Sequence, residues 1–150
     1  MNKVFEASID LTEKFASGNE MGTSRKTNMY RSHHYKRQKE MVKNVVWELA
    51  EDARVEIKDG MAYKLREIYE YPVPAAYLKT KKQRAEFSPS TVLPITRGTS
   101  DIDNTMKPMH DAIMDALGFD DSQIVSIEAH KRYKLGDTYR YTFELYEVPS

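Results

Sequence analysis

The sequence predicts an α+β fold: one mixed α/β domain over residues 1–150, with a mainly antiparallel sheet and two principal helices. Three observations carry this. A chain of 150 residues with 40% hydrophobic and 31% charged residues has the size and polarity of a single globular core. Four segments, 4–11, 62–71, 124–133 and 139–148, have the composition and alternation of strands. Two others, 33–54 and 102–117, repeat apolar residues every three or four positions. There is no internal repeat and no linker long enough to divide the chain.

Taken in order, residues 4–11 (VFEASIDL) alternate loosely and form the first strand. Residues 12–30 lose apolar content and gain Gly18, Gly22, Ser17, Ser24, Thr23, Thr27 and Asn28, the signature of a basic loop. From His33 to Arg54 there is no Gly or Pro. Met41, Val45, Leu49 and Ala53 recur as the apolar stripe, with Val42 and Val46 beside them, and the first half is basic. Trp47 lies off that stripe, placed either under a strand or at a contact between copies. Residues 62–71, rich in Tyr and Ile, read as a strand ending at Pro72. Pro74 begins a short helix through Ala75, Ala76 and Tyr77 into the cluster Lys79, Lys81, Lys82 and Arg84. Pro89 and Pro94 confine 87–97 to loop or edge strand. After the helix 102–117 and a tight Gly118-Phe119-Asp120-Asp121 link, the last two strands read as a hairpin turning at Gly136-Asp137.

Composition closes several routes. Without Cys there is no disulfide or thiolate-metal framework. Residues 1–11 lack the apolar run of a signal sequence, and no window approaches the roughly 20 apolar residues of a membrane span. The expectation is a soluble intracellular protein, in the cytoplasm and with no membrane partner. The 23 Lys and Arg balance 23 Asp and Glu, which by itself argues against nucleic acid. The balance is a sum of blocks, however. Arg25, Lys26, Arg31, Lys36, Arg37, Lys39 and Lys43 face Glu40 alone, whereas Asp101, Asp103, Asp111, Asp115, Asp120 and Asp121 face Lys107 alone. Tyr30 and Tyr35 interleave with the basic block, which suits phosphate contacts. His33 and His34 are neighbours, so on a helix they diverge by about 100° and do not chelate one ion readily.

On the helix 102–117, Ile102, Met106, Met109, Ile113 and Ala116 or Leu117 form the buried stripe, and Asn104, Lys107, Asp111 and Asp115 share another face. Ser100, Asp101 or Asp103 can cap its start, and Pro108 limits how early the regular helix begins. A helix this long spans about 24 Å, which alone holds Asp101 away from Asp121. The two converge only if the strand after Asp121 runs back along the helix. Carboxylates gathered with an amide and an ammonium suit hard divalent ions, Mg²⁺ or Mn²⁺. A calcium loop starting at Asp101 is excluded, because its sixth and twelfth positions hold Met106 and Ala112. Lys107 is placed to offset charge developing on a phosphoryl group.

The string Asp101-Ile102-Asp103-Asn104-Thr105-Met106-Lys107-Pro108, the pair Asp111-Ala112 and the run Asp120-Asp121-Ser122-Gln123-Ile124-Val125 resemble the signature of the RusA family of Holliday junction resolvases. The resemblance implies a homodimeric, Mg²⁺-dependent endonuclease for four-way and related branched DNA, acting in recombination and repair, often phage or prophage encoded. It implies metal-binding carboxylates at Asp101, Asp103 and Asp121 gathered in one site, and Lys107 as the catalytic lysine. Asn104, Asp111 and Asp120 are then supporting residues. Arg25, Lys26, Arg31, Lys36, Arg37, Lys81, Lys82 and Arg84 are the DNA-binding candidates. Thr99-Ser100 stands where Lys-Pro is often found in the family, and the link from Leu117 to Asp120 is short. The rival readings are a branched-DNA-binding module without nuclease activity and a broader flap or branch nuclease.

Overall fold

Alternation along the strands sorts the sheet into a covered face and an open one. The computed structural model describes residues 1–17, 33–95, 99 and 101–149, with the backbone alone of 21–23 and 29–31. The elements run β1 (Asn2–Leu11), β2 (Met21–Thr23), β3 (Met29–Arg31), α1 (His33–Asp52), β4 (Ala62–Pro72), a 3₁₀ turn (Ala75–Tyr77), α2 (Lys81–Glu86), α3 (Ile102–Leu117), a second 3₁₀ turn (Asp121–Gln123), β5 (Ile124–Lys134) and β6 (Tyr139–Val148). The main sheet has the order β1-β6-β4-β5, antiparallel except for the β4/β5 pair.

Every second strand residue points to one face: Phe5, Ala7, Ile9 and Leu11 of β1, Tyr63, Leu65, Glu67, Tyr69 and Tyr71 of β4, and Tyr141, Phe143 and Leu145 of β6. α1 and α3 cover that face, adding Val42, Val46 and Ala50 from one and Met109, Ala112 and Ile113 from the other to a single core. The core is rich in tyrosine, and a buried phenol needs a partner for its hydroxyl. Tyr63 accepts from the Lys58 N–H at 3.0 Å, while Tyr69 and Tyr141 donate to Glu67. The hydroxyl of Tyr133 is buried without a partner among the described residues. Gln38 clamps the segment after β1 to α1: its Oε1 accepts from the Ala16 N–H at 2.7 Å and its Nε2 donates to the Lys14 carbonyl.

The opposite face is polar. Arg66 donates to both Glu128 and Glu144 at 2.8 Å. His130, then Arg66, hold the Glu128 carboxyl down at about 2.

Several expectations need correction. The last two strands are not a hairpin: β4 lies between β5 and β6 and pairs with both. Residues 135–138 instead step past the end of β4, where the Val73 N–H bonds the Lys134 carbonyl. A short Gly-Asp turn serves either connection. The loop expected over 12–30 contains the two short paired strands β2 and β3. The buried row of α1 is Tyr35, Gln38, Val42, Val46 and Ala50, one position away from the expected stripe, and Met41, Leu49, Ala53 and Trp47 are exposed. The apolar arc of α1 is wide, and the polar heads of Tyr35 and Gln38 find partners only on the observed side. The segment after Pro74 is broken in two, because Thr80 caps α2 afresh through a reciprocal bond pair with Gln83. Pro108 does not delay α3; it lies inside the helix and is buried.

Candidate active site

The carbonyl of Asp101, at the N-cap of α3, accepts from both the N–H and the hydroxyl of Thr105, at 3.1 and 3.0 Å. The Asp101 carboxylate makes no capping bond and is exposed. Asp103 accepts from the Asn104 N–H at 3.0 Å. Gly118 ends the helix in the left-handed region, φ 72°, where a residue without Cβ is at ease. With Met109, Ala112 and Ile113 committed to the core, the remaining arc of α3 turns outward.

The chain then turns back within a few residues. Asp120 caps the second 3₁₀ turn, its carboxylate accepting from the Ser122 N–H while Gln123 returns a bond to the Asp120 backbone. That Ser122 N–H holds Asp120 below the usual carboxylate range. Gln123 also donates to the carbonyls of Lys58 and Met61, both at 3.0 Å. These bonds pin the turn to the approach of β4, so β5 starts beside Tyr63 and runs parallel to β4. The strand after Asp121 therefore returns alongside α3.

Between α3 and β5 lies a cleft of about 320 Å³. Asp103, Lys107 and Asp121 line it, together with Asp111 and His110, over an apolar bed that includes Leu65, Ile124 and Ile127. Asp101 is not part of the lining, and Asn104 is half-buried on the flank. Among the described residues no three His, Cys, Asp or Glu side chains stand close enough to hold one ion between them. The donors do suit a hard cation. Mg²⁺ is ordinarily held by one or two carboxylates, with water and phosphate oxygens completing the shell, and Asp103 and Asp121 offer such a pair.

Asp111 accepts from the hydroxyl of buried Tyr35, and Asp115 pairs with Lys39 at 3.0 Å. These bonds dock the basic first half of α1 against the polar flank of α3. Of the DNA-binding candidates, Lys36 and Arg37 are exposed on α1, and Arg37 reaches both oxygens of Glu13 at 2.8 and 2.9 Å. His34 bonds the Lys14 carbonyl. Lys81 and Lys82 are exposed on the first turn of α2, whereas Arg84 donates to the carbonyls of Leu78 and Lys79. Arg25 and Lys26 lie outside the described residues, and Arg31 is described only by its backbone in β3.

Sequence reasoning missed a pair beneath this cleft. Glu67 of β4 is fully buried, and its Oε1 lies 2.7 Å from His110 Nε2. The available signal was an acidic residue at the centre of an otherwise apolar alternating face. Burial, and next the charge of Glu67, push both Tyr69 and Tyr141 well above the ordinary phenol range.

Among the described residues no helix is long and apolar enough to cross a membrane. Residues 13–139 match the family model described as Endodeoxyribonuclease RusA. No curated protein matches the chain.

Proposed function

The chain belongs to the RusA endodeoxyribonuclease family, and from that membership together with the cleft we propose a homodimeric, divalent-metal-dependent endonuclease that resolves Holliday junctions and related branched DNA in recombination and repair. The observation that carries the reading is the convergence of Asp103, Lys107 and Asp121 on one cleft. Asp103 and Asp121 would hold Mg²⁺, or Mn²⁺ in its place, and Asp101, at the adjoining helix start and outside the cleft lining, would join them as a third carboxylate only after its side chain turns toward the cleft. When bound, the ion supplies Lewis-acid polarisation of the phosphate to be cut.

The remaining work falls to the chain itself. The exposed Lys107 ammonium sets positive charge against the phosphate as negative charge builds on it. Tyr35 holds Asp111 away from free rotation, so the carboxylate beside Lys107 has a fixed place. Asn104 fixes Asp103 through its backbone N–H. Asp120 holds the turn that presents Asp121. Arg25, Lys26, Arg31, Lys36, Arg37, Lys81, Lys82 and Arg84 supply phosphate contacts that position DNA without reading sequence. A two-fold dimer places two such sites for paired cuts on a junction of similar symmetry. Val125, exposed on the edge strand β5, and Trp47 on α1 are apolar surfaces open to a second copy.

The test is cleavage of a synthetic four-way junction, a flap and a plain duplex with added Mg²⁺, alongside junction binding without metal ion. The expected result is preferential cutting of the junction, lost in Asp103→Asn and Asp121→Asn. Lys107→Ala binds the junction and cuts poorly. Wild-type cutting rates in both Asn variants would sink the proposed site. Binding without cutting would favour the non-catalytic module, and equal cutting of flap and junction the broader nuclease. Sedimentation at equilibrium settles the dimer.

A further inference from the structure

Glu67 is completely buried under α3, yet no step above uses it. A carboxylate in such a place persists only when donors surround it. Its Oε1 receives three: the Tyr141 hydroxyl at 2.6 Å, the Tyr69 hydroxyl at 3.1 Å and His110 Nε2 at 2.7 Å. Oε2 is buried without a partner among the described residues. A purely structural network would satisfy both oxygens from within the core. This one is lopsided toward the oxygen that meets the histidine.

His110 is the member that leaves the core. Its side chain is 15% exposed, and it lines the cleft with Asp103, Lys107, Asp111 and Asp121. Two phenol hydroxyls already donate to Oε1, so the carboxylate acts as acceptor and Nε2 carries the hydrogen of the third bond. In the neutral ring the lone pair then resides on Nδ1, which bonds no protein group among the described residues. An acceptor at a phosphate-binding cleft has nothing to offer phosphate oxygens, which are acceptors themselves. It fits a donor, and the donor that phosphodiester hydrolysis requires is the attacking water.

Resting on the nuclease reading above, we propose that His110 is a further catalytic residue of this cleft, accepting the proton of the attacking water at Nδ1, and that Glu67 is the positioning residue that fixes its ring and tautomer. The water oxygen forms a bond to phosphorus. The bond from phosphorus to the leaving sugar oxygen breaks, and that oxygen keeps the electron pair and takes a proton from solvent. The water's proton passes to Nδ1, and the resulting imidazolium is stabilised by the carboxylate behind it until it releases the proton to solvent.

His110→Gln separates this role from a structural one, because an amide N–H can still reach Glu67 while no group remains to take the proton. The variant is expected to melt with the wild type and bind the junction without metal ion within about twofold, while single-turnover cutting falls by about 10²- to 10⁴-fold. His110→Ala is expected to regain part of its cutting when imidazole is added, which loss of a packing residue does not allow. In the metal-free protein, ¹⁵N spectra of the ring are expected to show the Nε2–H tautomer. A ring found as the Nδ1–H tautomer overturns the inference. Cutting abolished by Asp121→Asn but untouched by His110→Gln overturns this inference alone; a wild type that cuts no branched DNA overturns the nuclease reading as well.

Discussion

Three buried tyrosines in one core should respond in three different ways to loss of a hydroxyl. Tyr141 donates to Glu67 at 2.6 Å in a place with no solvent access. Tyr141→Phe removes a hydrogen bond to a charged acceptor that water cannot replace, a loss of about 1.5–3 kcal/mol. For a chain of this length that lowers Tm by about 3–12 °C. Tyr69 meets the same oxygen at 3.1 Å, a weaker bond, so Tyr69→Phe should cost only about 1–1.5 kcal/mol. The Tyr133 hydroxyl is buried without a partner among the described residues. Its desolvation is already uncompensated, so Tyr133→Phe should be neutral or stabilise by up to about 1 kcal/mol. The double variant Tyr69→Phe/Tyr141→Phe should lose more than the sum, because Glu67 would then keep His110 alone. Urea unfolding reads all four, with an unchanged m-value as the check that only stability moved. If Tyr133→Phe costs as much as Tyr141→Phe, the account of Glu67 as the acceptor at the centre of this core is wrong.

The same tyrosines govern alkaline stability. Their phenol pKa values are raised in the folded chain, first by burial and then by Glu67, so stability is whole below about pH 10 and falls above it by about 1.4 kcal/mol per pH unit for each; a flat urea midpoint between about pH 9 and 11 would contradict this. Gln38→Ala should cost about 1–3 kcal/mol by stranding the buried Ala16 N–H, and should expose the segment before residue 18 to limited proteolysis. Lys81→Ala/Lys82→Ala should weaken junction binding while lowering the slope of log affinity against log salt by about one for each phosphate that the lysines neutralise; an unchanged slope would remove α2 from the DNA-binding surface.

Periodicity made most of the architecture legible. Both ends of α3, Ile102 and Leu117, follow from its apolar spacing and from Gly118, and the four long strands stand where alternation and β-branched or aromatic residues put them. What escaped was pairing. Residues 124–148 carry a turn signal that fits a hairpin equally well, and only the placement of β4 between them decides against it. α1 escaped by one position, since its apolar arc is too wide for spacing to pick the centre; Tyr35 and Gln38 pick it through partners more than twenty residues away. At the site, the order of Asp103, Lys107 and Asp121 was readable, but their convergence depends on Gln123 pinning the turn to Lys58 and Met61. Glu67 was hidden because an acidic residue on a strand normally reads as outward-facing. Its alternation with Tyr63, Leu65, Tyr69 and Tyr71 puts it on the covered face, but the donors that make burial there tolerable come from β6 and α3 as well as β4.

The strand order also sets a timetable. β6 is an interior strand flanked by β1 and β4, yet it is the last element in the sequence, and Ser8 bonds Thr142 across a separation of 134 residues. During synthesis at about 5–20 residues per second, β1 therefore waits on the order of ten seconds for the strand it pairs with. Until then β1 and β4 offer unpaired edges and the cluster around Glu67 lacks Tyr141. The support of the cleft through Glu67 is therefore complete only once β6 has joined the sheet, so a nascent chain cannot present a finished nuclease site before that strand has emerged.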